Sequence, residues 1–139
     1  MEKVFVDTDI VLDLLSNREP FYEYAAQLFS LADSGKIKIA VSSLCFANLN
    51  YLLSKQFSAT QARKQLLTFK TLVSVLPVTD KTVELALASD FKDFEDALQY
   101  FSALEGNIKT VLTRNLRDYK TAQIAVLTAE QFLNIKHNS

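Results

Sequence analysis

Histidine and cysteine are all but missing from this sequence: 139 residues contain one of each, His137 and Cys45. A lone cysteine cannot build a disulfide framework, and the pair cannot supply a Cys/His zinc site or a histidine-based triad. Glycine and proline are scarce too, two of each, beside 49% hydrophobic residues. That composition fits one compact globular domain over residues 1–139 far better than a disordered or multidomain chain. Neither sign of charge dominates, since 15 Lys and Arg face 16 Asp and Glu for a net charge of -1. No global basic field announces nucleic acid, so any such contact has to come from a local patch. Long apolar runs are also missing. The opening MEKVFVDTDIV carries early charges, and Asp7 and Asp9 interrupt its apolar stretch. It is neither a signal peptide nor a spanning helix, which predicts a soluble, cytoplasmic protein with no membrane partner.

What is present is an alternation of short apolar strands with helices. Lys3 to Asp7 reads as a buried strand because Val4, Phe5 and Val6 run without a polar break, as in a parallel sheet covered on both faces. A turn with Asp7 and Asp9 leads into a helix from Ile10 to Leu15. A second helix, from Pro20 to Ala32, puts Tyr24, Leu28 and Leu31 on one stripe before Ser34 and Gly35 stop it. Ile37 to Val41 is the next strand. Ser42 or Ser43 can cap a helix reaching Gln56, and Ser58 or Thr60 another that carries Leu66, Leu67 and Phe69. Val73 to Val78 is a strand weakened by Pro77. A helix from Asp80 to Ser89 precedes the helical stretch DFKDFEDALQYFSALEG. Strands at Lys109 to Leu112 and Ile124 to Leu127 follow, and Thr128 with Gln131 forms a capping box for a last helix. This order predicts a three-layer α/β/α sandwich around a mainly parallel sheet, with no internal repeat.

In such a sheet, ligands collect beyond the carboxyl ends of the strands. Asp7 ends the first strand and Asp118 lies in the turn after the strand at Lys109 to Leu112. Asp93 and Asp96 are three apart near the start of a helix and so share a face. Three or four converging carboxylates cannot stay ionised together without a counter-charge. Mg²⁺ or Mn²⁺ supplies one, since hard cations prefer oxygen ligands, and such a site activates water against a phosphodiester. Each acid also has a purely structural explanation. Asp7 or Asp9 caps the following helix, Asp93 and Glu95 suit the dipole of a first turn, and Asp118 is an ordinary turn residue. Asp96 is harder to dismiss, with Phe94, Ala97, Leu98 and Phe101 around it. Arg114, Arg117 and Lys120 surround Asp118 and are candidates for meeting substrate phosphates, the alternative being plain solvated surface. Cys45 reads as a small buried hydrophobe and His137 as part of a frayed tail.

The ordered set of motifs resembles the PIN-domain family. VFVDTDIVLDLL is similar to its opening signature, with Asp7 at the first metal-binding acid and Asp9 where Asn is common. DFEDALQYFSA resembles the central motif, where Asp96 and Ala103 match. TVLTRNLRDYK resembles the late motif, with Asp118 at the final acid and Tyr119 at the aromatic, and VLTAEQFL resembles the closing strand and helix. The resemblance implies a central parallel sheet and an acidic pocket in which Asp7, Asp96 and Asp118 hold Mg²⁺ or Mn²⁺ for endonucleolytic cleavage of single-stranded RNA, with Asp93 and Asn48 positioning ligands or water. It further implies similarity to toxins of the VapC type, inhibited by an antitoxin protein and often homodimeric. One departure stands out: in SSLCFANLNYLL, Asn48 occupies the place of a Glu, and a neutral amide is a poorer ligand for a hard cation. Asn48 therefore motivates a second reading, a catalytically degenerate module that binds RNA or protein. A third comes from DTDIV, which also fits the Asp-x-Asp nucleophile motif of haloacid-dehalogenase-type phosphatases, although no Gly-Asp-x-x-x-Asp motif follows.

Overall fold

Val4, Phe5 and Val6 are fully buried, because the strand that carries them, β1 (Glu2–Val6), lies at the centre of a sheet packed on both faces. The computed structural model describes residues 1–119 and 122–138. β2 (Ile37–Ser42) runs parallel to β1, with Val4 opposite Ile39 and Phe5 opposite Ala40. β3 (Ser74–Leu76) extends the sheet beyond β2, while β4 (Thr110–Leu112) and β5 (Ala125–Leu127) extend it on the other side of β1. The order is β3-β2-β1-β4-β5 and every neighbouring pair is parallel.

Side-chain alternation along the strands divides the core into two. Val4, Val6, Ile37, Ile39 and Val41 point to one face, where they pack with apolar residues of α1 (Thr8–Leu15), α2 (Tyr22–Asp33), α3 (Leu44–Gln56), α4 (Ala59–Lys70) and α7 (Ala129–His137). Phe5, Ala40 and Val111 point to the other, against Tyr100 and Ala103 of α6 (Phe94–Glu105), and α5 (Asp80–Leu87) packs on α6. This is the expected three-layer α/β/α arrangement. No described helix is long and apolar enough to cross a membrane.

Local signals place most of the helix ends. Ser58, not Thr60, caps α4 by accepting the Gln61 N–H at 3.1 Å. The Thr128 and Gln131 capping box opens α7 as predicted, and Thr79 with Thr82 forms one for α5 that sequence reading missed. Gly35, at φ +77°, supplies the left-handed residue that stops α2. Neither serine before α3 caps it in the expected way: Ser43 makes no capping hydrogen bond, and Ser42 Oγ accepts the Leu44 N–H instead. Other boundaries moved. The third strand is only Ser74–Leu76, because Pro77 has no N–H to continue the ladder. The helix expected from Pro20 begins at Tyr22, the one expected to reach Ser89 stops at Leu87, and α6 starts only at Phe94. His137 is not in a frayed tail but in the last turn of α7, which the buried Phe132 and Leu133 anchor.

Candidate active site

The sheet order reverses its direction of winding between β1 and β4, and the loops leaving those adjacent strands diverge to open a crevice at their carboxyl ends. Asp7 is the first residue beyond β1, and Thr113 the first beyond β4. The Asp7 N–H donates to the Leu112 carbonyl at 2.9 Å, which ties the two strand ends together. Asp7 itself is 4% exposed and caps α1. Its Oδ1 accepts the Thr8 N–H at 2.7 Å and Gln99 Nε2 at 2.8 Å; its Oδ2 accepts the Thr113 hydroxyl at 2.8 Å and the Tyr119 hydroxyl at 3.3 Å. So the capping and site explanations of Asp7 are not alternatives, because one backbone position serves both.

A pocket of about 440 Å³ opens over this carboxylate, and Asp93, Asp96, Asp118 and Asn48 all line it, with Asp9 and Glu95. Asp96, on the buried face of α6, is 9% exposed. Asp93 is the α6 N-cap, its Oδ1 accepting the Asp96 N–H at 3.0 Å. Asp118 comes from a short 3-10 turn, Leu116–Tyr119. Asn48 donates from Nδ2 to Glu95 Oε2 at 3.2 Å. Asp9 turns Oδ2 to the Arg114 N–H at 3.1 Å, while its Oδ1 is buried with no hydrogen-bond partner.

Burial and neighbouring charges raise the proton affinity of Asp7, Asp9 and Asp96. Desolvation pushes the Asp7 carboxyl above its ordinary value, against the pull of its hydrogen bonds. Asp9 is pushed up to about 7, by burial first and the Asp7 charge second. Asp96 is pushed up to about 8, again chiefly by burial, with the charges of Asp7, Asp93 and Asp118 adding to it.

The expected clustering needs one correction. Although the acids line one pocket, no three of the described His, Cys, Asp or Glu side chains stand close enough to form a ready-made metal cage. Hydrogen bonds hold Asp7 down, and Asp93 is committed to its helix cap. The donor set still fits a hard cation in kind: the acids are all carboxylates, no sulfur or imidazole lines the pocket, and the buried Asp9 Oδ1 lacks the partner that a carboxylate oxygen needs.

The basic residues fare differently from the acids. The Arg114 guanidinium forms a two-pronged pair with Asp13, Nε to Oδ2 at 2.8 Å and Nη2 to Oδ1 at 3.1 Å, and stacks 4.1 Å from the Phe21 ring centroid. It lines a separate cavity of about 380 Å³ with Phe21 and Tyr24. What reaches the carboxylates from Arg114 is its backbone N–H. Arg117 is exposed and does not line the pocket. Lys120 lies outside the described residues. Cys45 is fully buried in the core, its thiol pushed up to about 12 by burial. Sequence reading missed Thr113 and Gln99, and it used Tyr119 only as an aromatic match. The available signals were the place of Thr113 at the head of the late motif, just past a buried strand, and the polarity of Gln99 on the apolar face of a helix.

A family profile described as PIN domain matches residues 3–117. The chain belongs to the PIN-domain family. It is 31% identical over 139 residues to Ribonuclease VapC1 of Aquifex aeolicus (strain VF5), covering 94% of this chain and 93% of that one. The PIN fold recurs in solved structures: a toxin-antitoxin complex from Klebsiella pneumoniae has a TM-score of 0.69 at 20% identity, over 91% of this chain and 97% of that one. VapC20 of Mycobacterium tuberculosis, a sarcin-ricin loop cleaving toxin, has a TM-score of 0.67 at 19% identity, over 88% and 96%. PIN membership displaces the phosphatase reading of Asp7-Thr8-Asp9, and the geometry agrees, since Asp9 is fastened to the Arg114 backbone.

Proposed function

We propose that this protein is a divalent-metal-dependent endoribonuclease of the PIN type, acting as the toxin of a toxin-antitoxin pair. The observation that carries the reading is the gathering of Asp7, Asp96 and Asp118 around one pocket at the reversal point of the sheet. The names of the relatives support the substrate and partner: one is named a ribonuclease and another comes from a toxin-antitoxin complex. A Mg²⁺-like ion needs only one or two carboxylates and keeps water for the rest of its shell, which suits acids that share a pocket without closing on one point. When bound, Mg²⁺ or Mn²⁺ activates a water and offsets the charge developing on the phosphodiester.

The chain's own residues supply the rest. Four donors fix the Asp7 carboxylate, so that it presents one geometry to whatever enters the pocket. Burial and the neighbouring carboxylates raise the proton affinity of Asp96, so a cation entering the pocket competes there with a proton. Asp118 joins Asp7 and Asp96 at the pocket from the short turn Leu116–Tyr119. The expected result is Mg²⁺- or Mn²⁺-dependent cleavage of single-stranded RNA that disappears in Asp7→Asn and in Asp96→Asn. Full activity in both variants would rule the reading out.

Asn48 favours one other reading, a PIN module that binds RNA or protein without cutting, because an amide donor stands among the acids and is spent on Glu95. Tight Mn²⁺ binding in calorimetry together with robust turnover would sink that alternative.

A further inference from the structure

Glu95 sits in the first turn of α6, where an acid ordinarily serves the helix dipole and faces water. That role needs no partner on another helix. Yet Glu95 lines the carboxylate pocket, and its Oε2 accepts Asn48 Nδ2 from α3, 47 positions away in the chain. Asp7, Asp9, Asp96 and Asp118 line the same pocket, and like charges at such range drive a flexible acidic side chain outward. An amide opposite Glu95 reverses that tendency, since the NH₂ of Asn donates where a carboxylate at position 48 would only repel. A second feature of the pocket's lining fits a cation: Asp9 lines it too, and its Oδ1 is buried without the hydrogen bond that a carboxylate oxygen needs.

Building on the nuclease reading above, we propose that Glu95 is one of the carboxylates serving a divalent cation in the pocket and that Asn48 is the positioning residue that holds it there. Position 48 thus serves the cation through Glu95 and carries no acid of its own. Glu95 is solvent-exposed, so its replacement leaves the core untouched.

The test is Mn²⁺ affinity of the full-length chain by calorimetry, with thermal unfolding as the control for folding and RNA cleavage as a second readout. Glu95→Gln is expected to weaken Mn²⁺ binding about tenfold, in the range of a lost supporting carboxylate. Asn48→Ala is expected to weaken it about threefold, as for one partly exposed hydrogen bond to a charge. The double variant is expected to match Glu95→Gln alone, because Asn48 acts only through Glu95. Asn48→Glu is expected to bind Mn²⁺ no more tightly than the natural chain. Additive losses in the double variant, or tighter binding by Asn48→Glu, would overturn the proposal. So would natural affinity in Glu95→Gln while Asp7→Asn loses binding, an outcome that leaves the nuclease reading standing. Absence of Mn²⁺ binding by the natural chain would overturn both.

Discussion

Thr113 ties the site together through a single hydroxyl. It donates to Asp7 Oδ2 at 2.8 Å and accepts the Asn115 N–H at 3.0 Å, so it fixes both the carboxylate and the turn that follows β4. Thr113→Val keeps the shape and removes both bonds. It is expected to cost about 1–3 kcal/mol, the range for losing a buried hydrogen bond to a carboxylate that keeps only its Tyr119 donor on that oxygen, measured by urea unfolding, and to lower RNA cleavage along with it. The raised proton affinities of Asp9 and Asp96 also set a pH dependence. Their folded-state values, about 7 and about 8, lie above the unfolded value of 3.8, so the native state binds more protons between those limits. Stability from these groups is fully present below the unfolded value and is lost as pH rises through the folded ones. The metal-free protein is therefore expected to melt at a higher temperature at pH 5.5 than at pH 8.5, and scanning calorimetry across that range checks it. A melting temperature that climbs with pH would contradict the assignment.

At the scale of the element, α6 with its cap supplies half of the pocket's acids. Asp93 caps it, Glu95 and Asp96 follow in its first turn, and Gln99, one turn on from Asp96, reaches Asp7. Capping and charge can be separated at Asp93. Asp93→Ala is expected to destabilise by about 1 kcal/mol, while Asp93→Ser retains a good cap and loses only a few tenths of that; chemical denaturation distinguishes the two. If Asp93→Ser is as unstable as Asp93→Ala, the cap is not what the side chain supplies. This helix also shows where sequence reading succeeds and where it stops. Period and local chemistry revealed the apolar strands β1 and β2, the stop at Gly35 and the box at Thr128, because each depends on residues a few positions apart. Asp7 and Asp96 stood out because acids interrupting apolar segments are conspicuous, whereas Asp118, in a short turn, stood out only through its place after a strand and its motif. The Arg114 pair with Asp13 and the bond from Asn48 to Glu95 were not legible, since they join residues 101 and 47 positions apart and depend on how helices pack. Short strands such as β3 were overextended for a similar reason: apolar residues continue past the point where hydrogen-bonded pairing ends.

For the whole molecule, the all-parallel sheet decides where chemistry can occur, because every strand delivers its carboxyl end to the same edge. A cation bound there links the charges of separate elements and removes the repulsion that acid pH otherwise relieves. Adding Mn²⁺ is therefore expected to raise the melting temperature more at pH 8.5 than at pH 5.5 and to flatten the pH profile, by ordinary linkage between ligand and native state. Equal stabilisation at both pH values would separate the ion from the acids of the pocket.

Because β1 and β4 are neighbours in space, the pairing of Phe5 with Val111 and of Val6 with Leu112 closes a loop of more than a hundred residues. Contacts of that span form late, and a chain still on the ribosome has made β1 long before β4 exists. Until Thr113 and Asp118 have emerged, Asp7 has neither its hydroxyl clamp nor the second carboxylate that shares its pocket. A pocket seated at that junction cannot assemble before β4 and the turn after it have left the ribosome, however early β1 itself is made.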